Sequence, residues 1–491
     1  METNVPAAAQ GARSVSFESV IQSIDGYVWG WVLIGLILAV GVYLTVRTRC
    51  VQVRYLGRAL RYIVRDDEQG GRGEVSSFGA LCTALAATIG TGNIVGVATA
   101  IAAGGPGALL WMLIAAFFGM ATKFAEGLLA VRYRRETRPG HFLGGPFYYI
   151  EYGLGRRWRW LAKLFALFGA AAGIMGIGTI TQINGITSAV NDVFDPQYRG
   201  VVFTIGELKI TWAVILSGAA ITLMTALVVI GGIRRIAKVS EFVVPFMAGT
   251  YILFALIILI VNIRAVPGAI RVICVSAFDP AAVGGAISGL LIKTVIQKGV
   301  GRGIFSNEAG LGSAPIAAAS AKTNEPTRQG LVTMTGTFID TMVVCTLTGL
   351  SIVITGAWDP RVTGEALEGV EVTAYAWKHG LPFDPTFSGI MLTLCLIFFA
   401  FTTILGWNYY GERCLEYLCG GRRRLILGYR VLYILAVLIG PYLTVSAVWD
   451  IADIFNGLMA FPNLLALFLL GGVVSKESKA YFAHTKHRLR S

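Results

Sequence analysis

The sequence has 491 residues, of which 55% are hydrophobic and 14% are charged, and its formal net charge is +13. Soluble globular proteins carry roughly 25% charged residues, so this composition excludes an ordinary soluble domain and indicates a chain that lies mostly in a lipid bilayer. The positive balance alone would be compatible with nucleic-acid binding, but the placement of the basic residues, described below, argues against it.

Apolar segments recur along nearly the whole chain, and each is long enough to cross a bilayer. A membrane-spanning helix needs about 20 apolar residues to cross roughly 30 Å of hydrocarbon. The sequence therefore predicts an all-α membrane protein with about eleven transmembrane helices. The predicted spans are residues 27–46, 78–102, 107–131, 158–190, 211–231, 236–262, 281–298, 327–357, 386–411, 426–446 and 450–472. We expect a tail at 1–26, one transmembrane domain at 27–472 and a basic tail at 473–491.

The basic residues alternate between the connections of these spans. Of the 41 lysine and arginine residues, 31 lie in every second connection, 7 in the remaining connections and 3 within spans. Because cytoplasmic loops of membrane proteins are enriched in lysine and arginine, this split predicts an external N-terminus and a cytoplasmic C-terminus. The expected location is a cell membrane, most simply a bacterial inner membrane. We expect the lipid bilayer as surroundings, no nucleic-acid partner and no obligate protein partner.

Motifs of catalysis and of metal binding are absent from the sequence. The seven cysteines form no recognisable disulfide framework, and all four histidines fall in predicted loops. There is no His-Glu-x-x-His pattern, no Gly-x-Ser-x-Gly elbow and no Walker segment. We therefore expect neither an enzyme nor an organic cofactor.

Two predicted spans contain sequences that favour a break in the helix. One is the segment 86–93, which ends in Gly-Thr-Gly-Asn, and the other is the glycine-rich segment 299–308. They occupy the first and sixth places of the ten spans that follow the N-terminal one. This spacing is typical of two five-helix repeats of inverted topology, here about 78–262 and 281–472, with the binding site at the breaks. The alternative is that these glycines serve only helix packing.

Six sequence blocks resemble those of a known family. The blocks are Gly90–Val97, Gly104–Met112, Gly119–Gly127, Gly144–Glu151, Phe305–Gly310 and Trp407–Glu412. Through them the chain resembles the alanine or glycine:cation symporters, often called sodium:alanine symporters, along nearly its whole length. The resemblance implies a LeuT-type fold with one extra N-terminal helix before a 5+5 core. It also implies sodium-coupled import of alanine or glycine by alternating access.

A zwitterionic amino acid in mid-membrane needs donors for its carboxylate and acceptors for its ammonium group. A helix fragment that begins after a break exposes free backbone N–H groups, which suit an anion. We therefore predict that the backbone near Thr91 and Gly92 holds the carboxylate and that Asn93 contacts the same ligand, although Asn93 could instead only cap the helix fragment. The family resemblance adds Gln182 as a substrate contact, with a hydrogen bond between helices as the alternative role.

Two aromatic residues are predicted to line the same site. Phe305 and Trp407 are proposed as walls around the substrate side chain, with ordinary helix packing as the alternative for each. A tight wall would exclude larger substrates, although one methylene changes selectivity by only about 1 to 3 kcal/mol.

Sodium binding at this site is implied by the resemblance to the LeuT fold. The implied ligands are the carbonyl oxygens of Ala86, Ile89 and Phe399 and the hydroxyls of Thr402 and Thr403. Sodium is a hard cation that accepts such uncharged oxygens at the ends of interrupted helices. The alternative is that both threonines bond to preceding carbonyls of their own helix.

Several ionisable residues fall within or beside the predicted spans, where charge is functional by default. Lys123 and Glu126 stand three residues apart on a helix, so the simplest interpretation is a mutual ion pair. Asp340 is predicted to lie deep in its span, where it either takes up a proton or neutralises a partner such as Lys293. A proton-coupled transporter of the same fold, with Asp340 or Glu126 as the protonated group, is the alternative function.

Overall fold

The computed structural model describes residues 17–64, 70–175, 178–205, 208–283, 291–443 and 446–488. The described part of the chain is mainly helical, as predicted. Two short antiparallel hairpins lie in connections and were not predicted. They consist of β1 (Arg135–Arg138) paired with β2 (His141–Leu143), and of β3 (Val201–Ile205) paired with β4 (Leu208–Thr211).

The described part of the first half of the chain contains eleven α-helices, of which the last follows the second hairpin. They are α1 (Phe17–Val28), α2 (Trp31–Arg47), α3 (Val51–Arg54), α4 (Leu56–Val64), α5 (Ser77–Thr88), α6 (Val97–Gly104), α7 (Ala108–Tyr133), α8 (Pro146–Tyr148), α9 (Arg159–Met175), α10 (Ile180–Phe194) and α11 (Trp212–Val229). A π-helical turn at Gly92–Gly96 precedes α6, and another at Tyr149–Gly153 follows α8.

The second half contains the longest helices. The elements are α12 (Gly232–Val261), α13 (Val266–Ser276), α14 (Ile292–Asn307), α15 (Ala314–Ala318), α16 (Pro326–Thr337), α17 (Thr346–Thr355), α18 (Pro360–Thr363), α19 (Val370–Gly380), α20 (Pro385–Cys419), α21 (Arg423–Ile439) and α22 (Ser446–Arg488). A π-helical stretch, Phe338–Cys345, joins α16 to α17.

The ends of these helices follow from local sequence. Ser76 caps α5, because its hydroxyl accepts a hydrogen bond of 2.8 Å from Gly79 N. Asp384 caps α20 in the same way, accepting from Thr386 N at 2.8 Å, and a proline occupies the first turn. At the other end of α20, Gly420 adopts a left-handed conformation with φ of 62° and stops the helix.

Within the described residues, nine helices or helix pairs are long and apolar enough to cross a membrane, and a tenth span is a bent pair of helices. These ten overlap ten of the predicted spans. The eleventh, predicted at 281–298, is not among them, and its residues 284–290 lie outside the described part. Helix α14 begins only at Ile292 and has 16 residues, or about 24 Å, and it carries Lys293, Lys298 and Arg302. By itself α14 is therefore shorter and, per residue, more charged than the other ten spans, and it ends at an interruption of the helix.

The first and last helices extend beyond the predicted spans. Helix α1 begins at Phe17, inside the predicted tail 1–26, and residues 1–16 lie outside the described part. Helix α22 continues to Arg488, well past residue 472. The basic C-terminal segment is therefore a helical extension of the last span.

Small residues set the distances between the central helices. A Cβ added at Gly127 of α7 would lie 2.4 Å from the hydroxyl of Thr333 on α16, and one added at Gly330 would lie 2.6 Å from the carbonyl oxygen of Phe124. The glycines thus allow α7 and α16 to pack closely, with the backbone of each helix against atoms of the other. Such close approach is how membrane helices gain packing energy.

The glycines of segment 299–308 have a different role from the predicted one. Gly299 and Gly303 lie inside α14, where added Cβ atoms would come within 2.3 Å of the Ala108 carbonyl oxygen and 2.9 Å of Met112 Cγ on α7. They serve packing. The interruption follows at Glu308, whose φ of 55° ends α14. The break therefore begins at the last residue of the predicted segment.

The predicted orientation is testable with two exposed native cysteines, Cys50 and Cys274, which are separated by five predicted spans. We expect a membrane-impermeant maleimide to label Cys274 in intact cells, and Cys50 only after the membrane is opened. Two variants, one that retains only Cys50 of this pair and one that retains only Cys274, are matched controls for each other. Labelling of Cys50 in intact cells would contradict the predicted topology.

Candidate functional site

The first helix break separates α5 from α6 and bends the chain by 53°. Helix α5 ends at Thr88, and the helix resumes with the π-helical turn at Gly92. The side chain of Asn93 spans the gap, since its Oδ1 accepts a hydrogen bond of 3.1 Å from Gly90 N. Asn93 thus holds the turn between the two fragments, whereas among the described residues no side chain caps the first turn of the second fragment.

The second break follows α14. The Oδ1 atom of Asn307 accepts from Ala309 N at 2.9 Å, and its Nδ2 donates to Thr341 Oγ1 at 3.0 Å. The carboxylate of Glu308 accepts a hydrogen bond from the Ser313 hydroxyl. Side chains therefore hold the turn between α14 and α15, as an interrupted helix in a membrane requires.

The two breaks touch each other. A Cβ added at Gly92 would lie 3.3 Å from Ser306 Cα and 3.5 Å from the ring of Phe305. Only glycine permits this approach without displacing α14. The first and sixth spans of the predicted ten-helix core thus meet where the sequence indicates a site.

Asp340 joins both breaks. Its side chain is fully buried in the π-helical stretch, and its Oδ1 accepts a hydrogen bond of 2.7 Å from Asn93 Nδ2. Its Oδ2 accepts from Ser306 Oγ at 3.0 Å and from Thr341 Oγ1 at 2.6 Å. Within the described residues no ion pair joins Asp340 to Lys293, whose ammonium lies 5.8 Å from the centre of the Trp31 ring. Sequence reasoning identified Asp340 but missed Ser306 and Thr341, although Thr341 directly follows it.

Gln182 approaches the first break from α10. Its Nε2 donates a hydrogen bond of 3.3 Å to Thr91 Oγ1. Its Oε1 is buried and has no hydrogen-bond partner among the described residues. A buried acceptor without a donor is costly, so this oxygen is available for a donor from a ligand.

A cavity of about 710 Å³ leads from Thr91 to the protein surface. Thr91 and Val95 of the first broken span line it, together with residues of α10, α19 and the first part of α20. At the surface the cavity is bordered by Asp192, Glu371 and Lys378, which belong to connections or helix ends predicted to face outward. A solute therefore has a path from this surface to Thr91.

The proposed sodium ligands lie on α5, at the first break and on α20. The hydroxyls of Thr402 and Thr403 both donate to the Phe399 carbonyl at 3.0 Å, which is the bonding within the helix that the alternative describes. A Cβ added at Gly90 would lie 2.5 Å from Thr403 Oγ1, so this hydroxyl faces the break directly. A set of neutral oxygens at an interrupted helix fits the chemistry of sodium.

The two predicted aromatic walls occupy different places. Phe305 packs beside Gly92 at the junction of the breaks. Trp407 is fully buried on α20 and packs against Gly178, just before α10, and edge-on against Tyr410 at 5.7 Å. The described ring pairs do not bring Phe305 and Trp407 together.

The predicted ion pair of Lys123 with Glu126 is wrong. Both side chains are buried, but within the described residues no ion pair joins them. Glu126 Oε1 instead accepts a hydrogen bond of 2.7 Å from Asn463 Nδ2, and Asn463 accepts one from the Tyr149 hydroxyl. Glu126 therefore bonds to a residue of α22, more than 300 positions away in sequence, and not to the neighbour that the helical spacing predicts.

A second polar cluster lies at the opposite end of α20. The Arg413 guanidinium is 2.7 Å from Glu416 and 3.4 Å from Glu74, and His141 is 2.8 Å from Glu416 and 3.4 Å from Glu74. All four side chains belong to regions predicted to face inward, so the structure groups loops as the charge alternation predicts. Sequence reasoning did not find this cluster, because its members are separated by up to 342 positions.

The pKa values in this cluster follow from its geometry. Hydrogen bonds to Glu416 and Glu74 raise the pKa of His141 to about 9, outweighing burial and the nearby Arg413. Burial alone would raise the pKa of Glu74, but the hydrogen bond from His141 and the charge of Arg413 hold it below its usual range. His141 is therefore cationic and Glu74 anionic at neutral pH, which ties the hairpin to α20.

Comparison with solved structures defines the fold class. The crystal structure of MhsT in complex with L-phenylalanine aligns with a TM-score of 0.55 at 14% sequence identity, covering 84% of this chain and 99% of that chain. MhsT is a LeuT-fold transporter. The fold is therefore that of LeuT-type secondary transporters.

Sequence comparison gives the family. The profile of the sodium:alanine symporter family matches residues 14–491. An uncharacterized transporter of Haemophilus influenzae is 52% identical, over 96% of this chain and 98% of its own length. The sodium/alanine symporter AgcS of Methanococcus maripaludis is 45% identical, over 95% and 98%. The chain belongs to the sodium:alanine symporter family, which confirms the resemblance and makes it a transporter rather than an enzyme.

The contact between Gly90 and Thr403 predicts a specific sensitivity to substitution. Gly90→Ala should destabilise the purified protein by about 1 to 3 kcal/mol, because the added methyl group overlaps the Thr403 hydroxyl. Gly96→Ala is the matched control, since no atom lies within 4 Å of the added Cβ. Thermal unfolding in detergent measures both, and equal melting temperatures for the two variants would contradict the contact.

The His141 cluster predicts a pH-dependent stability. The pKa of His141 is raised from the ordinary value of about 6.5 to about 9. The contribution of His141 to folding stability is therefore complete below pH 6.5 and is lost as the pH rises through about 9. We expect His141→Gln to lower the melting temperature by a few degrees at pH 6.5 and by much less at pH 10. His379→Gln, at an exposed histidine near the other end of α20, is the control. A His141→Gln effect that does not change with pH would contradict the assignment.

Proposed function

We propose that this chain imports a small neutral amino acid, alanine or glycine, together with sodium. The observation that carries the proposal is the open cavity, which reaches Thr91 at the first helix break. Thr91 in turn accepts a hydrogen bond from Gln182, whose buried Oε1 has no partner among the described residues. This arrangement offers a zwitterion both kinds of partner. The relative named sodium/alanine symporter supports the same substrate and the same ion.

The substrate carboxylate is assigned to the free backbone N–H groups near Thr91 and Gly92, at the positive end of the second helix fragment. The ammonium group is assigned to the Oε1 atom of Gln182, which has no other donor among the described residues. Asn93 is assigned to holding the break, because its two polar atoms already bond to Gly90 and Asp340. Phe305, beside Gly92, borders the substrate side chain.

Sodium is assigned to the carbonyl oxygens of Ala86, Ile89 and Phe399 and to the hydroxyls of Thr402 and Thr403. The ion would draw both hydroxyl oxygens toward α5, and the absence of a side chain at Gly90 leaves room for this. One sodium ion moving down about 100 mV gains roughly 2.3 kcal/mol, and a tenfold gradient adds roughly 1.4 kcal/mol. At one ion per substrate, these terms support accumulation of several hundredfold.

Asp340 is assigned to structural support of the breaks rather than to proton coupling. Three donors already satisfy its two oxygens, from Asn93, Ser306 and Thr341. Sodium, named for the relative AgcS, is therefore the coupling ion that we favour over the proton.

The transport direction follows from the predicted topology. With the N-terminus outside and the C-terminus in the cytoplasm of a bacterial inner membrane, the cavity at Thr91 faces outward. The cluster of Arg413, Glu74, Glu416 and His141 then lies on the cytoplasmic side, toward the other end of α20. Alternating access would move the broken spans against the remaining helices.

The two threonines provide the test of the sodium site. We expect Thr402→Ala combined with Thr403→Ala to raise the sodium concentration for half-maximal alanine uptake by tenfold or more, because two ligand oxygens are removed. The double variant Thr402→Ser with Thr403→Ser retains both hydroxyls and should stay within about threefold of the native protein. Uptake by the alanine variant with unchanged sodium dependence would contradict the assignment.

A further inference from the structure

A second cavity, of about 630 Å³, lies at the opposite end of α20 from the substrate path. It forms where the hairpin β1–β2, the start of α12, the end of α20 and the start of α21 meet. We call it the basic cavity. Its cationic lining residues are Arg138, His141, Arg234, Arg413, Arg423 and Arg430.

The acidic residues of the basic cavity are already paired. Glu412 accepts two hydrogen bonds from Arg430, at 2.6 and 2.7 Å. Glu74 and Glu416 bond to Arg413 and His141, as described above. Since the lining has only these three carboxylates, its remaining positive charges are not neutralised by its own side chains.

Three arginines supply that excess. Within the described residues, Arg138, Arg234 and Arg423 form no ion pair, and all three are exposed. Arg138 donates to the Gly421 carbonyl oxygen at 2.8 Å, which places its guanidinium beside the turn between α20 and α21. Three guanidinium groups around one cavity form a site for an anion with several oxygen atoms, because arginine recognises phosphate in a bidentate manner.

The backbone adds to this positive potential. Helices α12 and α21 both begin at the basic cavity, and neither has a side-chain cap or an acidic residue in its first turn. Their free N–H groups and positive dipole ends favour an anion. In addition, the Nε atom of Arg413, a residue only 3% exposed, is buried without a hydrogen-bond partner.

The side of the basic cavity toward the membrane is apolar. Ile230 and Leu427 line the cavity and are 64% and 60% exposed. Leu227 on α11 and Val431 on α21 continue this surface, and helices α11 and α21 pack together. In a membrane protein, such exposed aliphatic side chains contact acyl chains. A soluble anion would contact only the arginines, whereas a phospholipid would contact the arginines with its headgroup and the aliphatic surface with its acyl chains.

We propose that the basic cavity binds the phosphate headgroup of an anionic phospholipid, with the acyl chains lying against α11 and α21. Basic pockets between membrane helices on the cytoplasmic side have the chemistry for such headgroups. The site is about 30 Å from the substrate path along α20 and involves none of the residues assigned to substrate or sodium. Its occupancy would stabilise the junction of four elements at the face predicted to be cytoplasmic.

The test measures lipid binding to the detergent-purified full-length protein by titration with phosphatidylglycerol or phosphatidylcholine, read out by native mass spectrometry. We expect phosphatidylglycerol to bind more tightly. Combining Arg138→Gln, Arg234→Gln and Arg423→Gln should weaken its binding on the order of a hundredfold, since each basic residue near an anionic lipid contributes about fivefold. Lysine at the same three positions should restore part of the affinity, because it keeps the positive charge but not the bidentate geometry.

The matched control removes three positive charges elsewhere on the same predicted face, through Arg156→Gln, Arg157→Gln and Lys479→Gln, and should change binding by less than about threefold. Equal loss in both triple variants, or equal binding of the two lipids, would overturn the proposal. Binding of glycerol phosphate or inorganic phosphate as tight as that of phosphatidylglycerol would assign the cavity to a soluble anion and would also overturn it. None of these readouts depends on transport.

Discussion

A carboxylate buried among membrane helices needs donors, and the Asp340 carboxylate takes them from both interrupted helices. Asn93 belongs to the first broken span and Ser306 to the second, so one side chain fixes their separation. The backbone groups released at a break cannot be left without partners in hydrocarbon. The hydrogen bonds of Asn93 and Asp340 therefore stabilise an arrangement that the backbone alone would not keep, and the site at Thr91 and Gly92 depends on it.

Helix α20 connects this site to both surfaces of the protein. It has 35 residues and a length of about 50 Å. Its first part lines the open path to Thr91, its middle carries Thr402 and Thr403, and its end holds Arg413 in the ionic cluster. One rigid element thus contacts the path, the proposed sodium ligands and the closed end.

Hydropathy and glycine patterning were sufficient for the broad architecture and for the first break, because Gly-Thr-Gly-Asn combines flexible and polar residues within an apolar span. The second interruption begins only at Glu308, the last residue of the predicted segment 299–308, because Gly299 and Gly303 lie within α14 and pack it against α7. Long-range polar partners could not be predicted. Glu126 bonds to Asn463 rather than to the neighbouring Lys123, and a single sequence contains no signal for that contact.

The central claim is that a sodium gradient drives amino-acid accumulation through the site at the two breaks. Radiolabelled alanine uptake into proteoliposomes containing the purified protein tests it most directly. An inward sodium gradient should drive accumulation above the external concentration, and an inward proton gradient without sodium should not. Accumulation that is unchanged when sodium is removed, or that follows the proton gradient alone, would contradict the account.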